Sequence, residues 1–199
     1  MQITTEMVKD LRSATGAGVL EAKKVLEQTN GDFNKAVDVL REKGAARAAK
    51  RADRAAKEGL IEVYIHPGNR VGVMLELNCE TDFVARNEQF QDLAHNLALH
   101  IAAAAPHYLT AEEVSAADLE REMSVLRAQA LAEGKPEAVV EKIVSGRVQK
   151  FYEEMCLLEQ PYIRDEKVKI KDLLTDAIRT IGENIFVRRF ARYELGESL

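Results

Sequence analysis

Apolar residues recur at helical spacing through the first fifty positions and at every second position from Gly59, so this chain builds helices first and then a sheet. A chain of 199 residues has room for one large domain or for a small helical one followed by a larger mixed one.

The helical part reads as three short segments. Thr4 or Thr5 caps the first, whose Met7, Val8 and Leu11 share a face, and TGAG at 15–18 breaks it with two glycines. A second runs from about Val19 to Thr29 with Val19, Leu20, Ala22, Val25 and Leu26 at helical spacing. Asn30-Gly31 closes it, and Asp32 caps a third bearing Phe33, Ala36, Val37 and Leu40, which Gly44 is expected to end. Residues 1–44 thus form a three-helix N-terminal domain. Its core is thin, and its stability marginal unless the connector or a partner covers part of it.

Residues 45–58 are a basic, Ala-rich connector, expected to be helical. Formal charge is −5 overall, yet 43–57 (KGAARAAKRADRAAK) holds six Lys or Arg against Asp53 alone, a local +5 that leaves −10 for the remainder. A nucleic-acid site of this kind would come with a basic domain or interleaved aromatics. Neither is present, so the segment reads as a solvated connector and no direct nucleic-acid partner is expected.

The remaining residues, 59–199, form an α+β domain. In LIEVYIH, Ile61, Val63 and Ile65 alternate with Glu62, Tyr64 and His66; after PGNR, VGVMLELNC sets Val71, Val73, Leu75, Leu77 and Cys79 on one face. This predicts an antiparallel hairpin with one buried face. Phe90, Leu93, Ala94, Leu97 and Ile101 keep helical spacing until Pro106. An acidic, mostly helical excursion spans about 107–150, with Pro136 at a first helical turn. QPYI reads as a turn and VKIKDLLTDAIRTIG as a helix closed by Gly182. ENIFVRRFARYELGE reads as a strand whose alternation falters at Arg188-Arg189, the mark of a bulge or an edge. The expected fold class is therefore α+β: three N-terminal helices, a helical connector, then a three-stranded antiparallel sheet packed with helices.

Catalytic signatures are absent. No GxxxxGK[ST], HExxH or GxSxG occurs, and TGAG follows a helix instead of a strand. His95 and His100 are five apart and do not share a helix face. Cys79 and Cys156 have neither disulfide nor zinc spacing and read as buried thiols. Glu80 and Asp82 are a poor acid/base pair in a chain with 33 acids. Neither a resident cofactor nor a bound metal is expected. MQITTEMVKD carries Glu6 and no apolar run of signal-peptide length, and no later segment approaches a bilayer span, so the expected location is the cytoplasm.

One stretch stands apart. NCETDFVARNEQF, 78–90, leaves a strand and enters a helix with Phe83 at the junction, in a chain with six Phe and no Trp. Two arrangements are open: Asp82 caps the helix while Phe83 turns inward to staple its entry, or both project as an acid-and-ring prong for a partner's pocket.

The residues already quoted carry a resemblance. LRSATGAGVLEAKKVLEQTNGDFNKAVDVLREKG (11–44), ELNCETDFVARNEQF (76–90), SGRVQKFYEEMCLLEQPYI and IGENIFVRRF resemble, in order, segments of the bacterial elongation factor Ts family. The resemblance implies that 1–44 is a ubiquitin-associated-like domain and that the activity is guanine-nucleotide exchange on elongation factor Tu, without covalent chemistry. Thr81, Asp82, Phe83 and Val84 would be the wedge that presses on two helices of the partner's GTPase domain and disturbs its Mg²⁺ site. Leu11, Arg12, Gly16, Ala17, Gly18, Val19 and Leu20 fall on the family's other contact with that domain, although Leu11 and Leu20 also fit the helical cores. Mg²⁺ and GDP or GTP would belong to the partner. Val19-Leu20 stand where many relatives carry two methionines. With room for one sheet-bearing module, the chain resembles the short members, which implies a homodimer through the sheet, with strand 185–195 contributing, in a two-plus-two complex. Rival classes are an RNA-binding protein using 43–57, an adaptor for a ubiquitin-like ligand, and an enzyme of undetected site.

Overall fold

The structure is a computed structural model that describes residues 2–197. Met1, Ser198 and Leu199, which the domains 1–44 and 59–199 include, lie outside the described residues. Two compact units emerge. The first joins the N-terminal stretch through Gly59 with Asn78–Phe90 and Leu174–Phe186; the second gathers Leu60–Leu77, Gln91–Leu173 and the stretch from Val187 onward.

In the first unit α1 (Thr5–Thr15) begins where Thr4 Oγ1 accepts the Met7 N–H at 3.2 Å, and it ends at Gly16, whose φ of 61° lets its N–H return to the Arg12 carbonyl. α2 (Val19–Gln28) closes through Asn30 and Gly31, both at positive φ, with Gly31 N–H on the Leu26 carbonyl at 2.8 Å. α3 (Phe33–Arg51) is capped by Asp32 Oδ1, which accepts the Lys35 N–H at 3.1 Å. Val8, Leu11, Ala17, Ala22, Val25, Leu26, Ala36 and Leu40 form the shared core, with Ile3, Met7, Val37 and Val39 against it.

The expected break at Gly44 does not occur. α3 runs through it to Arg51. A mid-helix glycine costs roughly 1 kcal/mol against alanine, and here it admits a close neighbour: a Cβ at Gly44 would stand 2.8 Å from Arg179 Cδ. The connector is consequently helical only to Arg51. Beyond it, the Ala52 and Arg54 carbonyls accept from the Asn184 side-chain amide at 3.3 and 2.9 Å, which holds that backbone out of the helix.

The sheet, most of whose residues belong to the second unit, runs in the order β1 (Glu58–Ile65), β2 (Val71–Cys79), β5 (Phe186–Glu194) and is antiparallel. Val73, Leu75 and Leu77 are buried, as the period of two predicts. The hairpin closes with His66 N–H on the Val71 carbonyl at 2.9 Å. Counting back from that pair sets Ile65 beside Gly72 and Val63 beside Met74, on the face opposite Val73 and Leu75. Ile61, Val63, Ile65 and Met74 are all more than half exposed. One face is buried, but the other is apolar as well. Arg188 and Arg189 both reach Glu76, at 3.5 and 2.7 Å. β5 is an edge strand of this sheet, one of the two outcomes that the faltering alternation anticipates.

α5 (Glu88–Ala104) buries Leu93, Ala94, Leu97, Ala98 and Ile101. α6 (Ala116–Ala132) and α7 (Glu137–Met155) form a hairpin with a small core of Leu126, Ala130, Val140 and Val144, bridged by Arg127–Glu141 and Arg147–Glu133, each at 2.7 Å. Two readings of the sequence are corrected beyond it. QPYI is not a plain turn, because Pro161–Tyr162 is β3; Val168 and Lys169 are not helical, because Asp165–Lys169 is β4 and pairs antiparallel with β3. The Ile170 N–H on the Gln160 carbonyl, 3.0 Å, closes this small ladder, and only then does α8 (Ile170–Ile181) begin.

Candidate partner-binding site

Thr81 starts a short helix, α4 (Asp82–Ala85): its Oγ1 accepts the Val84 N–H at 3.3 Å. Asp82 is therefore not the cap. It is exposed and pairs with Arg86 at 2.9 Å. Phe83 does not staple the helix entry; 79% of its surface is exposed, while Val84 beside it is buried. Of the two arrangements the sequence left open, the structure has the projecting one.

A cluster of polar groups holds this turn from below. Glu183 Oε2 accepts the backbone N–H of Glu80 at 3.0 Å and of Thr81 at 3.1 Å, and its Oε1 accepts the Thr81 hydroxyl at 2.7 Å. In return Glu80 Oε1 accepts the Asn184 N–H at 2.7 Å, with Arg54 at 3.5 Å. Charge-assisted bonds of this kind are short and strong. The Cys79 thiol donates to the Thr81 carbonyl at 3.1 Å; burial first, and the Glu183 charge second, push its pKa up to about 11, so it stays a protonated donor. Cys156 is pushed up to about 11 by burial in the same way. Both thiols are buried.

The N-terminal candidates divide. Leu11 and Ala17 sit in the helical core. Arg12, Gly16, Gly18, Val19 and Leu20 are exposed, with Val19 at 52% and Leu20 at 85%. Gly18 is the N-cap residue of α2 and provides no side chain, so Val19 and Leu20 open the helix at a bare apolar tip. The Arg12 Nε donates to the Ala17 carbonyl at 3.3 Å and ties the turn together.

The basic stretch is largely engaged. Arg47 pairs with Glu21, Arg51 donates to the Ile178 carbonyl at 2.9 Å, Arg54 meets Glu80, and Lys43 reaches Gln28 at 3.5 Å. Among the described residues no group of three or more His, Cys, Asp or Glu is arranged to hold a metal ion, and no helix is long and apolar enough to cross a membrane. Sequence reasoning missed Glu183, Asn184 and Arg179 as supports. The signal for Glu183 and Asn184 was their position directly after the Gly182 helix stop, where nothing in the strand pattern asks for Glu-Asn; Arg179 gave none.

The α+β fold thus presents an acid, a ring and an apolar helix tip at its surface. The sequence model of the family described as elongation factor TS matches residues 2–197. A relative from Carboxydothermus hydrogenoformans is 55% identical over 197 residues, covering 99% of this chain and 91% of its own. One from Moorella thermoacetica is 56% identical over 192 residues (96% and 95%), and one from Herpetosiphon aurantiacus 54% over 198 residues, all of both chains. All three are named elongation factor Ts. The chain belongs to the elongation factor Ts family, whose members serve translation elongation as nucleotide-exchange factors for elongation factor Tu and perform no covalent chemistry of their own.

Proposed function

We propose that this chain releases GDP from elongation factor Tu in the cytoplasm by pressing Asp82 and Phe83 into the GTPase domain and disturbing its Mg²⁺ site. The observation that carries the reading is the exposure of Phe83 on a turn that Glu183 holds at two backbone N–H groups and the Thr81 hydroxyl. A ring held in place loses little freedom on entering a pocket, so more of its contact energy appears as binding. Thr81 caps the turn and Val84 anchors it. Mg²⁺ neutralises phosphate charge, and loosening its shell weakens the hold on the nucleotide. The metal and the nucleotide are the partner's; this chain supplies shape and one carboxylate.

A second contact falls to Val19 and Leu20 with Arg12 and the backbone of Gly16 and Gly18. Leu11 and Ala17 support it from within the core. Linkage sets the rest: GDP and GTP must each weaken the factor's grip by the amount to which they are weakened themselves. Either nucleotide then displaces the factor, and direction comes from nucleotide concentrations and capture of the GTP form.

The exposed apolar face of the sheet supports the homodimer. Leu195 N–H on the Arg70 carbonyl at 2.8 Å sets Tyr193 beside Gly72, on the same face as Ile65, Val63 and Met74, and Tyr193 is 71% exposed. An apolar face of that extent is a site for association. A second copy fits it with closed two-fold symmetry, giving a two-plus-two complex with the GTPase.

The test is release of labelled GDP from elongation factor Tu with Mg²⁺ in excess and with Mg²⁺ chelated. The chain is expected to accelerate release more in the first condition, because a metal already removed cannot be disturbed. Equal acceleration in both would remove the Mg²⁺ step, and none in either would remove the exchange reading.

A further inference from the structure

The last turn of α8 and the residues just after it touch the supports of both exposed tips, all within the first unit. Arg179 fills a notch that only glycines leave open. A Cβ on Gly44 would stand 2.8 Å from its Cδ, and one on Gly16 would stand 3.2 Å from its Nη1. Arg51 donates to the carbonyl of Ile178, the residue before it, at 2.9 Å. Four positions beyond Arg179, Glu183 grips Glu80 and Thr81, and Asn184 reaches back to the Ala52 and Arg54 carbonyls. Gly16 lies in the turn that leads to Val19 and Leu20. Thr81 caps the turn that carries Asp82 and Phe83.

We infer that residues 178–184 are a strut that fixes the separation between the Val19–Leu20 tip and the Asp82–Phe83 tip, with Arg179 as its positioning residue. The inference rests on the exchange reading, since both tips are taken to meet the same GTPase. A partner held at one tip finds the other at high effective concentration only if their separation is fixed and correct. Stability alone is a poor account of an arginine here. Its Nη1 is buried without a hydrogen-bond partner among the described residues, a cost that an apolar side chain would avoid. What arginine adds is orientation: Asp176 Oδ1 accepts from its Nε at 3.1 Å and also from its Nη2, fixing the planar fork against α8 while the stem lies against Gly44.

The test uses Gly44→Ala, which pushes a methyl onto Arg179 while raising the intrinsic helix propensity of α3, and Arg179→Ala, which empties the notch. Release of labelled GDP from elongation factor Tu is measured against factor concentration for each, alone and combined with Leu20→Ala or with Phe83→Ala. In the native background Leu20→Ala should raise the half-maximal concentration about ten-fold. In the two strut variants that concentration is already raised, and adding Leu20→Ala should change it by only about two-fold, while the loss from Phe83→Ala stays full. Simple destabilisation would raise the starting concentration but leave both added losses at full size, and would show as unfolded protein in circular-dichroism melts. The full Leu20→Ala loss in both strut backgrounds would overturn the strut. If Leu20→Ala and Phe83→Ala both leave native release unchanged, the two tips are not the contacts and the strut fails with them, whereas a native chain that releases no GDP removes the exchange reading itself.

Discussion

Glu183 holds Thr81 at two points, its Oε2 accepting the Thr81 N–H at 3.1 Å and its Oε1 the hydroxyl at 2.7 Å. The residue that caps the projecting turn is thereby bonded to the stop of α8, about a hundred positions away in the chain. Glu183→Ala should cost about 2 kcal/mol of stability, the scale of lost bonds to a charged group. It should also slow exchange beyond what the unfolded fraction explains, because Thr81 loses its anchor. Denaturant titration together with GDP release checks both parts: an unchanged midpoint would contradict the first, and native exchange in a folded Glu183→Ala protein the second.

His100 predicts a pH dependence. It is fully buried, accepts the Ile163 N–H on Nδ1 at 3.3 Å and so donates from Nε2 to Gln160 Oε1 at 2.9 Å. Burial holds its pKa below the ordinary histidine value, against the smaller opposing pull of the Gln160 bond. The unfolded chain therefore binds the extra proton more readily than the folded one. Stability from this group is present above roughly pH 6.5, the unfolded value, and declines as pH falls below it. Thermal melts from pH 7.5 to 5 should show a fall that His100→Gln reduces; identical slopes would contradict this.

The sheet predicts a charge-sensitive dimer. Val63 and Met74 are 55% and 53% exposed on its outward face, so Val63→Glu should leave the monomer's stability within about 0.5 kcal/mol, as for most surface changes. In a dimer interface the same carboxylate would be buried unpaired, at a cost of several kcal/mol. Light scattering at micromolar concentration should give a dimer for the native chain and a monomer for Val63→Glu. A native monomer would remove the dimer from the account.

Much of this architecture is legible in one sequence because periodicity is a local signal. Val73, Leu75 and Leu77 are buried as their alternation requires, and the strand carrying the Arg188-Arg189 interruption lies at an edge of the sheet. What failed was set by distant neighbours. Gly44 looks like a helix stop until Arg179 is found against it, 135 positions on. Ile61, Val63 and Ile65 alternate well, yet alternation cannot say whether an apolar face meets its own core or another molecule. The TDFV turn shows the same limit. Thr81 and Asp82 are both residues that cap helices well, and the local pattern does not choose between them. Glu183, by bonding the N–H and hydroxyl of Thr81, fixes Thr81 as the cap, and that contact spans 102 positions.

The most direct measurement is the rate of GDP release from elongation factor Tu driven by native chain and by Phe83→Ala at equal concentration. With 79% of the ring exposed, the substitution should leave the melting temperature almost unchanged, since little packing is lost. An anchor of this type contributes about 2 kcal/mol or more to binding, so the variant should be roughly 30-fold less effective. Equal rates from two equally folded proteins would contradict the wedge.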